Sequence, residues 1–393
     1  MKILWIHSHF YNWMGGTKFV LEVVKRLKTT CEVEVLIQGG EAEVINKFTD
    51  AGIVVNNLHS LSTNSILFWP LFYFSCGRDV KKVQDIVGNN NFDTIISSMF
   101  PGNYIASNLK DVKCYQYCYE PYAAFWDEVS INNQPYYKRM ISRLVGSLYS
   151  KKDLMSVSKA EKVFTLSPET QIAIKNIYAR DSIITRLGVD TDFYKKTNNI
   201  DLINKYSDHF VILHNTDFSP AKRTTFLLDA VEKIYPYIDN IKLLITCSVN
   251  NKDKIKALSQ EIKKRGIMNQ IDILGFVDYD LLPAIYSLAD IVVYPGTSNG
   301  GGASAVSLFV LEAMACGTPS LRSNDSRSEV LDKVNGELFN PLDLEEFCEI
   351  CISLFHDPVR ILKYSARCRE YVVDKYSWDS VALKIISELD HQN

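Results

Sequence analysis

The chain has 393 residues, 47% of them apolar, enough for two domains of ordinary size with their own cores. A formal net charge of −3, with no basic tail or low-complexity tract, argues against a dedicated nucleic-acid binder. Nine cysteines, an odd number in a long chain, argue against a secreted disulfide framework.

The opening MKILWIHSHF has too short an apolar run for a signal peptide. The longest strongly apolar stretch, Ile66–Phe74, is far too short to span a bilayer. A soluble or peripheral protein of the cytoplasm is expected. KILWIHS, Lys2–Ser8, reads as the first strand, with His7 and His9 at its end, one toward the core and one toward a cleft, or each a satisfied structural histidine. Gly15 and Gly16 then precede an amphipathic helix. This is not the G-x-G-x-x-G of dinucleotide enzymes, yet it puts backbone amides at a strand end. Strands follow at Val33–Gln38 and Asp93–Ser98. Cys114 and Cys118 form a C-x-x-x-C, and Cys348 and Cys351 a C-x-x-C. Neither has a second pair, so both read as buried small residues. Tyr119 and Glu120 lie just past a further strand, where cleft residues belong, and Glu120 is a candidate base or hydroxyl ligand. The basic, aromatic Tyr136–Lys152 suits an interfacial helix on anionic lipid, or else a core-packing helix with solvated lysines.

After a strand at Lys162–Ser167, turn residues and a polar run over Arg186–Asn199 mark a seam. Strands restart at Val211–Thr216, Lys242–Ser248, Ile271–Phe276 and Ile291–Gly296. Strand and helix in alternation, twice over, predict an α/β chain of two doubly wound Rossmann-like domains facing across a cleft. The domains are placed at 1–188 and 189–375, with a last helix over 376–393.

Chemistry concentrates in the second domain. The loop Pro295–Gly302 leaves the carboxyl end of the strand Ile291–Tyr294 and runs into a helix, with Ser304 as a plausible N-cap. Glycines admit a ligand close to the backbone, and the helix start attracts anions, phosphate above all. Glu312 lies eight residues after Ser304, just over two turns, and a carboxylate in VLEAMA needs a partner. An internal cation is one; the hydroxyls of a ribose are another. Lys222 and Arg223 open the helix after Val211–Thr216, where cations oppose the helix dipole unless an anion binds. The two D-x-D pairs, Asp190 with Asp192 and Asp278 with Asp280, fall at turns where aspartate is favoured anyway, so no metal is expected.

These residues resemble the family 4 retaining glycosyltransferases, which have the two-domain B-type fold. The likeness covers nearly the whole chain: the Gly15-Gly16 turn, LGVDTDFY at Leu187–Tyr194, FSPAKR at Phe218–Arg223, Leu274–Gly296, LEAMACGTP at Leu311–Pro319 and YSWDSVALKI at Tyr376–Ile385. The resemblance implies a nucleoside diphosphate sugar held by the second domain and a glycan or lipid-linked acceptor held by the first. It implies that Glu312 binds the ribose and Lys222 neutralises the diphosphate. Gly15, Gly16, Arg223, Ser304, Ser307 and Leu308 complete the donor site, and Tyr119 and Glu120 stand with Lys222 at the reacting centre. No cofactor is implied, because lysine and helix amides meet the charge of the leaving group. The sequence departs from the family at three places. Ser304 stands where a second glutamate is usual, Asp217 where an arginine is frequent, and Tyr119 where many relatives carry histidine. These departures motivate an alternative, a non-catalytic binding partner built on the same fold.

Overall fold

The computed structural model describes residues 1–13, 15–63, 65, 67–132, 134–248, 251–296, 306–324 and 329–390, with the side chains of residues 129, 130 and 390 left aside. Among them, residues 1–188 and the helix Trp378–Asp390 form one compact unit and residues 189–377 another.

The first unit is built on seven strands: β1 (Lys2–Phe10), β2 (Glu32–Gly40), β3 (Val54–Asn57), β4 (Thr94–Ser98), β5 (Lys113–Cys118), β6 (Val163–Thr165) and β7 (Ile183–Ile184). They pair in the order β3-β2-β1-β4-β5-β6-β7, all parallel. β1 shows why: six consecutive residues, Ile3 to Ser8, are buried, as a strand covered on both faces requires. On one face of the sheet Trp5, Phe19, Val20 and Tyr117 pack with Trp378, Val381 and Ile385 of the C-terminal helix. A Cβ on Gly188 would lie 2.2 Å from the Trp378 ring, so only glycine fits there. Opposite, the helix Tyr136–Ser158 is fixed by Asp153, which is buried and accepts bonds from Asn103 Nδ2 (2.8 Å), Trp126 Nε1 (2.8 Å) and the Tyr178 hydroxyl (2.7 Å). Burial raises the Asp153 carboxyl against these three donors.

The second unit has six strands: β8 (Phe210–Thr216), β9 (Ile241–Cys247), β10 (Ile271–Gly275), β11 (Ile291–Tyr294), β12 (Ser320–Ser323) and β13 (Gly336–Phe339). Their order is β10-β9-β8-β11-β12-β13, again parallel. In both sheets the strand order reverses beside the first strand, between β1 and β4 and between β8 and β11. The carboxyl ends at such a point are where ligands bind in open α/β sheets. Arg369 donates to the carbonyls of Thr191 (3.0 Å), Tyr194 (2.6 Å) and Ala315, tying Leu187–Tyr194 to the end of the helix Leu308–Ala315. A cation suits the negative end of that helix.

His7 and His9 differ from expectation. Residues two apart share a face of a strand, and the rings lie 6.4 Å from each other. His7 is buried with Nδ1 2.7 Å from the Ser98 hydroxyl, and burial, then His9, lowers it to about 3. In the second unit burial lowers His214 to about 4, and its Nδ1 faces the Val293 carbonyl at 3.2 Å. Both are neutral when folded and take a proton near pH 6.5 when unfolded. Their contribution is therefore complete above that pH and is lost below it, at about 1.4 kcal/mol per pH unit for each histidine. The raised carboxyls of Asp153, Asp290 and Glu329 act in the opposite sense. Denaturant titrations between pH 6.5 and 5 should thus show a stability slope shallower by about 1.4 kcal/mol per pH unit in His214→Gln than in the parent. Identical slopes would refute the assignment.

Candidate donor and acceptor sites

β8 delivers the chain to a strained turn. Asp217 Oδ1 accepts the Ser219 N–H at 2.8 Å, an Asx turn, while Phe218 and Arg223 both adopt positive φ, +63° and +49°. Left-handed backbone at two non-glycine residues costs about 1–2 kcal/mol each and is typical of functional turns. Between them Pro220–Lys222 forms a single 3-10 turn, and the α-helix begins only at Thr224. The expectation that Lys222 and Arg223 open that helix is thus corrected. Arg223 is its N-cap residue, and its guanidinium donates to the Pro341 carbonyl (2.5 Å) and lies 4.9 Å from the Phe226 ring centre. Lys222 is half-buried with Nζ 5.0 Å from the centre of the Tyr294 ring, a cation–π contact at the end of β11. Asp217, in the place of the family's arginine, has its carboxyl held below the usual range. Burial opposes this, and the hydroxyl and amide of Ser219, with Lys222, outweigh it.

Ser304 and the glycine run before it lie outside the described residues. What is described corrects the helix start. Val306 and Ser307 are non-helical, Ser307 is the N-cap residue, and the helix runs Leu308–Ala315. The two-turn spacing drawn from Ser304 to Glu312 therefore does not apply. The Ser307 N–H points instead to Glu329 Oε1 at 3.4 Å, and Glu329 pairs with Arg322 of β12. Within this helix Glu312 sits half-buried, and the Tyr286 hydroxyl donates to its Oε2 at 2.9 Å. Burial, then Glu312, pushes the Tyr286 and Tyr194 phenols up, so Tyr286 remains a donor. Nearby, the Phe193 and Tyr279 rings stack 4.4 Å apart at 11°. Asp190 spends its Oδ1 on the N–H groups of Asp192 (3.2 Å) and Phe193 (3.0 Å), a turn role.

The first unit contributes a separate set. The helix Gly15–Leu27 starts at the glycine pair; a Cβ on Gly15 would meet nothing within 4 Å, and one on Gly16 would meet only Tyr119 Cε2 at 4.0 Å. Packing alone does not demand glycine at either position. Tyr119 follows β5 and sits edge-on to Phe19 (5.4 Å, 82°), with its phenol pushed up by burial. Glu120 is exposed, yet lost hydration and then Asp127 raise its carboxyl, which suits a group that takes up a proton.

Sequence reasoning missed Tyr286, Tyr294, Arg322 and Glu329. The two tyrosines lie inside a motif already singled out, Leu274–Gly296. The Arg322–Glu329 pair has no signal in sequence spacing, because the partners meet through the fold.

Comparison with known proteins shows what the chain is similar to. Residues 195–387 match the family described as glycosyl transferases group 1. A glycosyltransferase of Methanocaldococcus jannaschii, itself uncharacterized, is 26% identical over 376 residues, 91% of this chain and 88% of that one. A GDP-mannose-dependent monoacylated alpha-(1-6)-phosphatidylinositol monomannoside mannosyltransferase of Corynebacterium glutamicum is 24% identical over 185 residues, 46% of this chain and 47% of the relative. The crystal structure of Anabaena HepE with UDP superposes with a TM-score of 0.72 at 18% identity, covering 100% of both chains. The fold is the two-domain B-type fold of glycosyltransferases.

Proposed function

We propose that this chain, a glycosyltransferase, belongs to family 4 and moves a sugar from a nucleoside diphosphate donor to a hydroxyl of a glycan or lipid-linked acceptor, with retention of configuration and without a metal ion. The observation that carries the reading is the arrangement inside the second unit: Lys222 against Tyr294, the head of the helix Leu308–Ala315, and Glu312 on that helix. Glu312 stands five residues past Ser307, about 7 Å along the axis, a span that suits a diphosphate followed by a ribose diol. In the reaction the bond from the anomeric carbon to the β-phosphate oxygen breaks, and the acceptor oxygen bonds to the same face. The departing phosphate oxygen takes the acceptor proton. Lys222 and the helix-head amides meet the charge that develops on the leaving group. Glu312, held by Tyr286, fixes the ribose. The relatives' own ligands are UDP in one case and GDP-mannose in another. The test is transfer and donor hydrolysis with a panel of uridine and guanosine diphosphate sugars, with and without EDTA. Retained anomeric configuration and EDTA resistance are expected. Inactivity with every donor and acceptor, or inversion, would sink the reading.

The acceptor side is read as working at a lipid surface. No helix among the described residues is long and apolar enough to cross a membrane. The helix Tyr136–Ser158 buries Val145, Tyr149 and Val157, and turns Tyr137, Ile141, Leu144 and Leu148 outward. Lys138, Arg143 and Lys151 are exposed on the same helix, whose one acid, Asp153, is buried. Tyr149 packs on Phe72 (4.7 Å), and Phe74 close by is 73% exposed. Apolar side chains flanked by cations match an anionic bilayer surface on the cytoplasmic side. The protein should float with vesicles containing 30% phosphatidylglycerol and not with pure phosphatidylcholine; Arg143→Glu/Lys151→Glu should lose most of that binding. Flotation independent of lipid charge would refute the surface.

A further inference from the structure

A run of side chains links the two anion-attracting elements of the second unit. The Tyr294 ring has Lys222 Nζ 5.0 Å from its centre and the guanidinium carbon of Arg322 also at 5.0 Å. Arg322 is 2% exposed and ion-paired with Glu329, which is 0% exposed. The same oxygen of Glu329 accepts the N–H of Ser307, which stands at the N-cap position of Leu308–Ala315. A Cβ on Gly296 would come within 2.7 Å of the Tyr294 ring and 2.9 Å of the Ala221 carbonyl, so the ring is clamped against the segment that bears Lys222. The Ser323 hydroxyl, next to Arg322, donates to the Gly296 carbonyl.

A buried ion pair is a poor source of stability, since neutral side chains of similar volume replace such pairs at little cost. Its value here is positional. Lysine has a long flexible stem and a point charge, so a ring face that confines its ammonium removes freedom that binding would otherwise have to remove. The rigid fork of Arg322 backs that ring from β12 and, through Glu329, also sets the position of the helix head.

We propose that Tyr294, Arg322 and Glu329 are positioning residues that hold Lys222 and the Ser307 helix head in register for the two phosphates of the donor. The proposal rests on the donor-site reading above. It predicts a loss specific to the second phosphate, which a general structural role would not produce.

The experiment is calorimetry of the full chain with UDP, GDP, UMP and GMP. Arg322→Met alone would strand a buried carboxylate, so the variant is Arg322→Met/Glu329→Gln, which removes both charges at similar volume. Diphosphate affinity should fall about tenfold while monophosphate affinity stays within about twofold. Tyr294→Leu should reproduce the loss, and Tyr294→Phe, which keeps the ring face, should restore tight binding. If the pair variant does not fold, the two Tyr294 variants carry the same comparison. Unchanged diphosphate binding, or equal loss for mono- and diphosphate, overturns the proposal while leaving the donor site in place. A parent protein that binds no nucleotide fails the donor-site reading itself, and the proposal with it.

Discussion

A Lys222→Ala enzyme should lose about 10²–10³-fold in kcat, the loss that follows removal of one preorganised donor from a developing oxyanion. The ammonium is half-buried and held over Tyr294, so on the donor-site reading proposed above little reorganisation is needed when charge builds on the leaving diphosphate. Asp217 sharpens the dependence. Its carboxylate interacts with Lys222 and would lie uncompensated near the anion once the lysine is gone. Donor KM should rise as well, because the ground-state diphosphate also loses its countercharge. Lys222→Arg should recover only part of the rate, since a planar fork does not occupy the position of a point charge. Steady-state kinetics with the preferred donor decide it; a Lys222→Ala enzyme within a few-fold of the parent would remove the lysine from the mechanism.

The largest stability effect should come from Trp378→Ala, which should cost the first unit about 3–5 kcal/mol. The Trp378 ring is almost fully buried, stands edge-on to Phe19 at 5.6 Å and fills the space against Gly188. Truncation leaves a cavity beside the sheet that neither glycine nor strand can close. A chain of two units need not melt in one step. Scanning calorimetry should therefore show one transition displaced downward and the transition of residues 189–377 preserved. An unshifted profile would mean that the helix Trp378–Asp390 contributes little to that core.

The fold class was legible because buried parallel strands leave continuous apolar runs, as in ILWI of β1 and LLI of β9. Short strands such as β3 and β13 escaped notice; at four residues each they carry too little pattern to separate from turn. At the candidate site, residue types were legible and geometry was not. Several serines near residues 298–307 suit an N-cap, and local sequence does not choose between Ser304 and Ser307. The left-handed backbone at Arg223, which turns its guanidinium to Pro341, belongs to tertiary context. Nor does any periodicity announce that Arg322 and Glu329 meet. The placement of His7 and His9 was readable from the period of two and was misjudged.

The C-terminal helix also bears on synthesis. Residues 189–377 are contiguous, and everything their core needs has been made once the ribosome passes Ser377. The first unit is different. Made first, it waits through all of the second unit for Trp378, Val381 and Ile385 to cover its sheet. The cover of the unit made first thus depends on the segment made last, after the whole of the second unit. During that interval Trp5, Phe19 and Tyr117 lack part of their cover, so chaperone dependence should concentrate on the nascent first unit. A stop codon at 378 would leave that unit permanently in this state.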